Sequence, residues 1–219
     1  VEGRILGGND QLPKILARKL GKKIMYNTPL YRLDHDSKGI VATVKENEKF
    51  IQIPAKKCVL AIPTPVLRNI EINPSFSSAK TECINNQEYG HAMKIAMQYQ
   101  KRFWDDDNSI GQRVFTDTPL RRIYHFSIDQ PGPRGILLSF TSAEDAIQIG
   151  RLDDKERLRI VQSTCESIWP NALDYWERGV IKYWNEDPWV KGSYSFAGVG
   201  QKNYRNILSK TEGSIFFAG

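Results

Sequence analysis

Three short segments, Leu30 to Asp34, Ile40 to Lys45 and Phe50 to Ile53, alternate apolar and polar residues and are separated by turn signals at Gly39 and Asn47. A period of two places every second side chain on one face of a strand, so three such runs joined by short turns predict an antiparallel β-meander with one buried face. A helix is expected before it. Asp10-Gln11-Leu12-Pro13-Lys14-Ile15-Leu16-Ala17-Arg18-Lys19-Leu20-Gly21 has an acid at the capping position, Pro in the first turn, apolar residues at 12, 15, 16 and 20, and a closing Gly. Lys22 to Tyr26 reads as a short strand. Cys58 to Ile62 is a continuous apolar run ended by Pro63-Thr64-Pro65, the pattern of a strand covered on both faces. These pieces predict the edge of an α/β sheet that carries a β-meander.

Beyond Pro65 the texture changes. Pro65 to Asn69 and Ser77 to Asn86 read as helices, and Met93 to Tyr99 as a strand leading to Phe103-Trp104. Arg122 to Ile128 and Gly135 to Thr141 read as neighbouring strands around the turn Gln130-Pro131-Gly132-Pro133. Ser142 to Ile149 and Asp154 to Trp169 read as helices, the second with Leu158, Ile160, Val161, Cys165 and Ile168 on roughly one side. Gly179 to Trp184 is a further strand.

Composition narrows the class. The chain has 219 residues, 40% apolar and 26% charged, enough for one large or two small domains with a sizeable core. No stretch approaches the roughly 20 apolar residues of a membrane span. The net charge of +6 comes from basic residues in scattered groups, such as Lys22-Lys23 and Arg121-Arg122, with acids among them. That is a solvated surface with a basic bias, and no nucleic-acid partner is expected. Cys58, Cys83 and Cys165 lack metal-ligand spacing, so no metal is expected, and reduced thiols fit a reducing, cytoplasmic location. The chain opens on Val1-Glu2-Gly3 and stops at Ile215-Phe216-Phe217-Ala218-Gly219, an apolar strand cut at its turn residue. Both ends read as edges of a longer protein.

Hydrolytic and nucleotide motifs are missing: there is no GxSxG, HExxH, P-loop or GxGxxG after a strand. Tyr183-Trp184-Asn185-Glu186-Asp187-Pro188-Trp189-Val190-Lys191-Gly192-Ser193-Tyr194 sets four aromatics around a turn. Such a cluster suits a core corner or the wall of a site for a planar cofactor and an amine.

A set of motifs in order carries a family resemblance. Gly7-Gly8-x-Asp10-x-Leu12-Pro13 opens a helix, Val59-Leu60-Ala61-Ile62-Pro63 ends a strand, and Lys94-Ile95 precedes Phe103-Trp104. Trp184-x-x-Asp187-Pro188-x-x-x-Gly192-Ser193-Tyr194 and Ile215-Phe216-Phe217-Ala218-Gly219 follow. Over essentially its whole length the chain resembles flavin amine oxidases. Lys101-Arg102-Phe103-Trp104-Asp105-Asp106-Asp107 and Thr116-Asp117-x-Pro119-x-Arg121-Arg122-Ile123-Tyr124 are most similar to L-amino-acid oxidases. The aromatic turn is also similar to that of polyamine oxidases.

The resemblance implies an α+β or α/β fold. A substrate domain, a mixed β-sheet flanked by helices, accompanies an incomplete FAD-binding domain made of the β-meander and a parallel strand. Residues 1–66 would be a middle segment of the FAD domain, 67–182 the substrate domain and 183–219 the return to FAD. The glycine fingerprint for the pyrophosphate and the acidic sequence after Gly219 are absent, so this polypeptide alone is expected to bind FAD weakly or not at all and to be inactive. Lys94 matches the lysine that holds a water near flavin N5; its plainer reading is a solvent-facing strand lysine. Trp184 would lie against the flavin and Tyr194 would wall the substrate cage, core packing being the alternative for both. Tyr124, with His125 beside it, occupies the place of a tyrosine that meets a substrate carboxylate. Gly7, Gly8, Ile62, Pro63 and Gly219 would let backbone approach the cofactor, although Gly7-Gly8 also fits a plain helix-entry turn.

The expected reaction is oxidative deamination of an L-amino acid to a 2-oxo acid, ammonia and hydrogen peroxide, with molecular oxygen as the second substrate. A mono- or polyamine substrate is the first alternative. A non-catalytic binding or interaction module without its own flavin is the second. A homodimer is compatible with the resemblance.

Overall fold

A computed structural model of the chain describes Ile5, residues 7–105 and residues 113–219. Asp106 and Asp107 of the acidic run and the opening Val1-Glu2-Gly3 lie outside the described residues. In chain order the elements begin with helix α1 (Gln11–Leu20) and strands β1 (Leu30–His35), β2 (Ile40–Glu46), β3 (Lys49–Ala55) and β4 (Cys58–Leu60). Then come α2 (Thr64–Leu67), β5 (Glu71–Asn73), α3 (Ser78–Asn86), β6 (Glu88–Tyr89), β7 (Ala92–Tyr99), β8 (Arg113–Phe115), β9 (Arg122–His125) and β10 (Gly135–Ser142). Helices α4 (Ala143–Gly150) and α5 (Asp154–Ile168) precede β11 (Trp176–Tyr183), β12 (Ser195–Phe196), α6 (Tyr204–Ser209) and β13 (Ile215–Phe217).

The chain divides into two compact units. Unit 1 holds the residues up to Leu60, Ile70–Phe76 and Thr211–Phe216. Unit 2 holds Ala61–Asn69, Ser77–Lys210 and Phe217–Gly219.

In unit 1 the meander forms as the alternation requires. Its sheet has the order β3-β2-β1-β5, antiparallel across the meander and parallel between β1 and β5. Asn47 and Glu48 both take positive φ, 47° and 64°, so a two-residue turn of the primed type joins β2 to β3 and matches the strands' right-handed twist. Leu33, Ile40 and Val44 are buried. Two local expectations fail. Residues 22 to 26 form no strand, because Gly21–Lys23 closes α1 with a 3-10 turn after Gly21 takes a positive φ of 53°. Cys58 to Ile62 is covered on one side, since Val59 in β4 is 64% exposed while Leu60 is buried. The strand that runs parallel to the meander is Glu71–Asn73.

Unit 2 is organised on a five-stranded sheet of order β11-β7-β10-β9-β8, with every pairing antiparallel. Along β7, Met93, Ile95, Met97 and Tyr99 are buried, whereas Lys94 between them is exposed. The buried set joins Leu137 and Ile123 of the neighbouring strands with Ala146 and Ile149 of α4 and Val161 and Cys165 of α5 in one core. Helices thus cover one face of the sheet, and that burial is its main source of stability. Helix α5 starts on a capping box: Asp153 Oδ1 accepts from Glu156 N at 2.8 Å, and Glu156 Oε2 from Asp153 N at 3.4 Å. No helix among the described residues is long and apolar enough to cross a membrane.

Candidate functional site

The other face of the five-stranded sheet follows from register. Lys94 lies opposite Lys182 on β11 and Phe140 on β10; Leu138 lies opposite Ala96 and Tyr124; Tyr124 lies opposite Arg113. Side chains that share a face recur every second residue, so Lys94, Ala96, Tyr124, Leu138, Phe140, Val180 and Lys182 all point away from the helices. Phe115 and Val180 on this face are 67% and 61% exposed.

Cations and aromatic rings alternate across it. Lys94 Nζ lies 5.8 Å from the Phe140 ring centre, Arg113 5.3 Å from Tyr124, Arg122 5.6 Å from Phe115, and Lys182 4.9 Å from Trp184. Like charges directly opposite on neighbouring strands repel, and Lys182 is drawn aside by Asp187, whose Oδ2 it meets at 2.5 Å. That hydrogen bond, together with one from Trp189 N, holds the Asp187 carboxyl below the usual carboxylate range.

The turn after β11 folds back on the start of β7. Trp184 N donates to Ala92 O at 3.1 Å, and Gly192 N to Trp184 O at 3.2 Å. Gly90 N donates to Tyr194 O at 2.8 Å and Ser193 N to Gly90 O at 2.9 Å, so the far end of the turn is stitched to the same strand entry. Gly90 leaves room for this close approach: a Cβ would stand 3.0 Å from Cζ of Tyr194. Tyr194 remains 57% exposed. Pro63 is tied to this region, because its carbonyl accepts from Val66 N and Leu67 N of α2, while Thr64 N donates to the Tyr89 hydroxyl at 3.4 Å. Ile62 and Pro63 are half-buried.

At the end of the chain, Phe217 stacks on a buried cation. Lys80 of α3 is fully buried, with Nζ 3.5 Å from the Phe217 ring centre; the ammonium also donates to Leu208 O at 2.9 Å and to Lys210 O. Gly219 beyond it is exposed, at a φ of 133°. Gly7 and Gly8 lie in unit 1 at the entry to α1, with positive φ of 85° and 111°. A Cβ on either would meet side chains of the same turn, Gln11 or Asp10.

Unit 2 therefore brings Lys94, Tyr124 and Trp184 to one open sheet face. It does not bring His125 there. His125 is the neighbour of Tyr124 on β9 and so points to the opposite side, where it is 5% exposed, packs against Trp104 at 5.3 Å between ring centres and has Asp105 Oδ1 3.5 Å from Nδ1. The pleat separates two adjacent residues that the sequence offered as a pair.

Lys182, Arg113 and Phe140 escaped the sequence reading, and Arg122 entered it only as part of a motif and a basic pair. The signal for Lys182 was its place two residues before Trp184 in an alternating strand, which puts both on one face. Arg157 escaped too, although it lies four residues before Val161 and eight before Cys165, on the helix stripe that faces the core.

A flat, negatively charged cofactor fits this arrangement. The face is open, ringed by aromatics and supplied with ammonium and guanidinium groups, as cation–π and charge-assisted recognition need. The family profile described as flavin-containing amine oxidoreductase spans residues 2–219. The chain belongs to that family. It is 27% identical over 221 residues to an L-amino-acid oxidase of Demansia vestigiata, covering 98% of this chain and 43% of the relative. It is 26% identical to a putative L-amino-acid oxidase of Bacillus subtilis, covering 98% and 47%. Among solved structures, a putrescine oxidase variant superposes with a TM-score of 0.86 at 21% identity, over 97% of this chain and 47% of that one. A cyclohexylamine oxidase of Brevibacterium oxydans superposes at 0.85 and 18%, again over 97% and 47%. The chain spans less than half the length of these relatives, and the structural likeness establishes the mixed α/β fold.

Proposed function

We propose that the protein containing this chain is an FAD-dependent oxidase that deaminates L-amino acids to 2-oxo acids, ammonia and hydrogen peroxide. The observation that carries the reading is the cation-rich, aromatic open face around Lys94, Lys182, Tyr124 and Arg113. Such a face attracts a substrate carboxylate and repels a dicationic amine, which favours amino acids over diamines. FAD, when bound, supplies the two-electron acceptor and its reoxidation by oxygen.

The chain's own residues have separable tasks. Trp184 and Tyr194 offer flat apolar walls and exclude water. Tyr124 presents a hydroxyl toward the substrate carboxylate. Lys94 would place its ammonium where negative charge develops. Within unit 2, Ile62, Pro63 and Gly219 would hold the cofactor edge.

The test is peroxide release by the full-length protein with L-amino acids, monoamines and diamines, alongside its visible absorption. Yellow protein that oxidises L-amino acids with a kcat/KM about tenfold or more above that for diamines supports the reading. Preference for diamines, or a colourless full-length protein, overturns it. Lys94→Met should slow reoxidation by oxygen about tenfold or more; unchanged oxygen kinetics removes Lys94 from this role.

A further inference from the structure

Arg157 is 4% exposed, yet it carries a permanent charge. A buried charge persists only when its donors are satisfied, and all five N–H groups of this guanidinium find acceptors. Nε donates to Ile149 O at 3.2 Å and Nη2 to Gly150 O at 2.6 Å, which closes the C-terminal end of α4. Nη1 donates to Asp154 Oδ1 at 3.1 Å in the first turn of α5. The remaining two donors form a fork on Glu186, Nη1 to Oε2 at 3.1 Å and Nη2 to Oε1 at 2.5 Å. The guanidinium carbon also lies 5.6 Å from the ring centre of Tyr183, the residue before Trp184. Tyr183 is fixed in turn by His91 Nδ1, 2.7 Å from its hydroxyl, and by the absence of a side chain at Gly150, where a Cβ would stand 2.3 Å from the ring.

We propose that Arg157 is a positioning residue: through its fork on Glu186 and its contact with Tyr183, it sets the turn that carries Trp184 and ends at Tyr194. Capping α4 needs only the two carbonyl contacts. The fork reaches 29 positions along the chain into a turn that adds no large side chain to the buried core, so its effect falls on the geometry of the aromatic wall. A bidentate arginine–carboxylate pair fixes orientation as well as distance, which a lysine cannot do. The consequence for substrate rests on the function proposed above; the anchoring itself does not.

The test is amide hydrogen exchange, with peptide resolution, on the full-length flavin-loaded protein and its Glu186→Gln and Arg157→Lys variants. Glu186 is half-exposed, so Glu186→Gln carries the test even if Arg157→Lys does not fold. Expected is a rise of about tenfold or more in exchange across 184–192, with β7 and α5 unchanged, and an increase in substrate KM larger than the fall in kcat. Unchanged exchange in the turn, or an equal rise in β7 and α5, overturns the proposal. Loosening of the turn in a protein that oxidises no amine sinks the proposed activity and leaves the anchor standing.

Discussion

Raising the pH probes the core behind the open face. Cys165 on α5 is fully buried, with Sγ 3.4 Å from Met97 Sδ, and burial pushes its thiol from the ordinary 9.0 up to about 11. The folded protein keeps this proton in a range where the unfolded chain has lost it. The thiol's contribution is therefore fully present below pH 9 and is lost as the pH rises through 11. Two pH units correspond to roughly 3 kcal/mol in full, and near pH 10 the loss reaches about 1 kcal/mol. Tyr99, also fully buried and pushed up by burial, adds a loss of the same sign, so wild type alone does not isolate the thiol. Cys165→Ala does. The variant starts about 1 to 2 kcal/mol less stable because it leaves a small cavity, and the gap should shrink by about 1 kcal/mol between roughly pH 8 and pH 10. Urea unfolding under reducing conditions, followed by far-UV circular dichroism at both pH values, measures it. Parallel pH dependences in wild type and variant would refute the reasoning.

Two further changes probe the frame of the site. Gly150→Ala puts a Cβ against the Tyr183 ring and should lower stability by about 1 to 3 kcal/mol, read as a fall in thermal midpoint; an unchanged midpoint means the ring moves freely. Asp153→Ala removes the capping box of α5 and should cost about 1 kcal/mol in chemical denaturation, whereas Asp153→Asn should recover most of it.

Much of the fold was legible because its signals are local. The meander follows from period-two alternation around Gly39 and Asn47, α1 from its Pro and closing Gly, and α5 from its apolar stripe. The exceptions were also local choices settled by longer contacts. Lys22 to Tyr26 has strand-like composition but no partner strand, and the backbone at Gly21 turns it into a 3-10 close. Cys58 to Ile62 is apolar throughout, yet its pairing with β13 leaves Val59 open.

For the candidate site, the sequence singled out candidates through its family resemblance: Lys94, Tyr124, Trp184 and Tyr194 stand out by type and motif order. Tertiary structure decided which of them share a face. Strand pairing set Lys182 beside Lys94 and placed Tyr124 on their face while turning His125 into the core. It also joined Arg157 to Glu186 across 29 positions. Periodicity assigns a side chain to one of two faces of its own strand or helix, but says nothing of what the next element brings opposite. That depends on register and crossover, which are set by burial summed over the whole sheet.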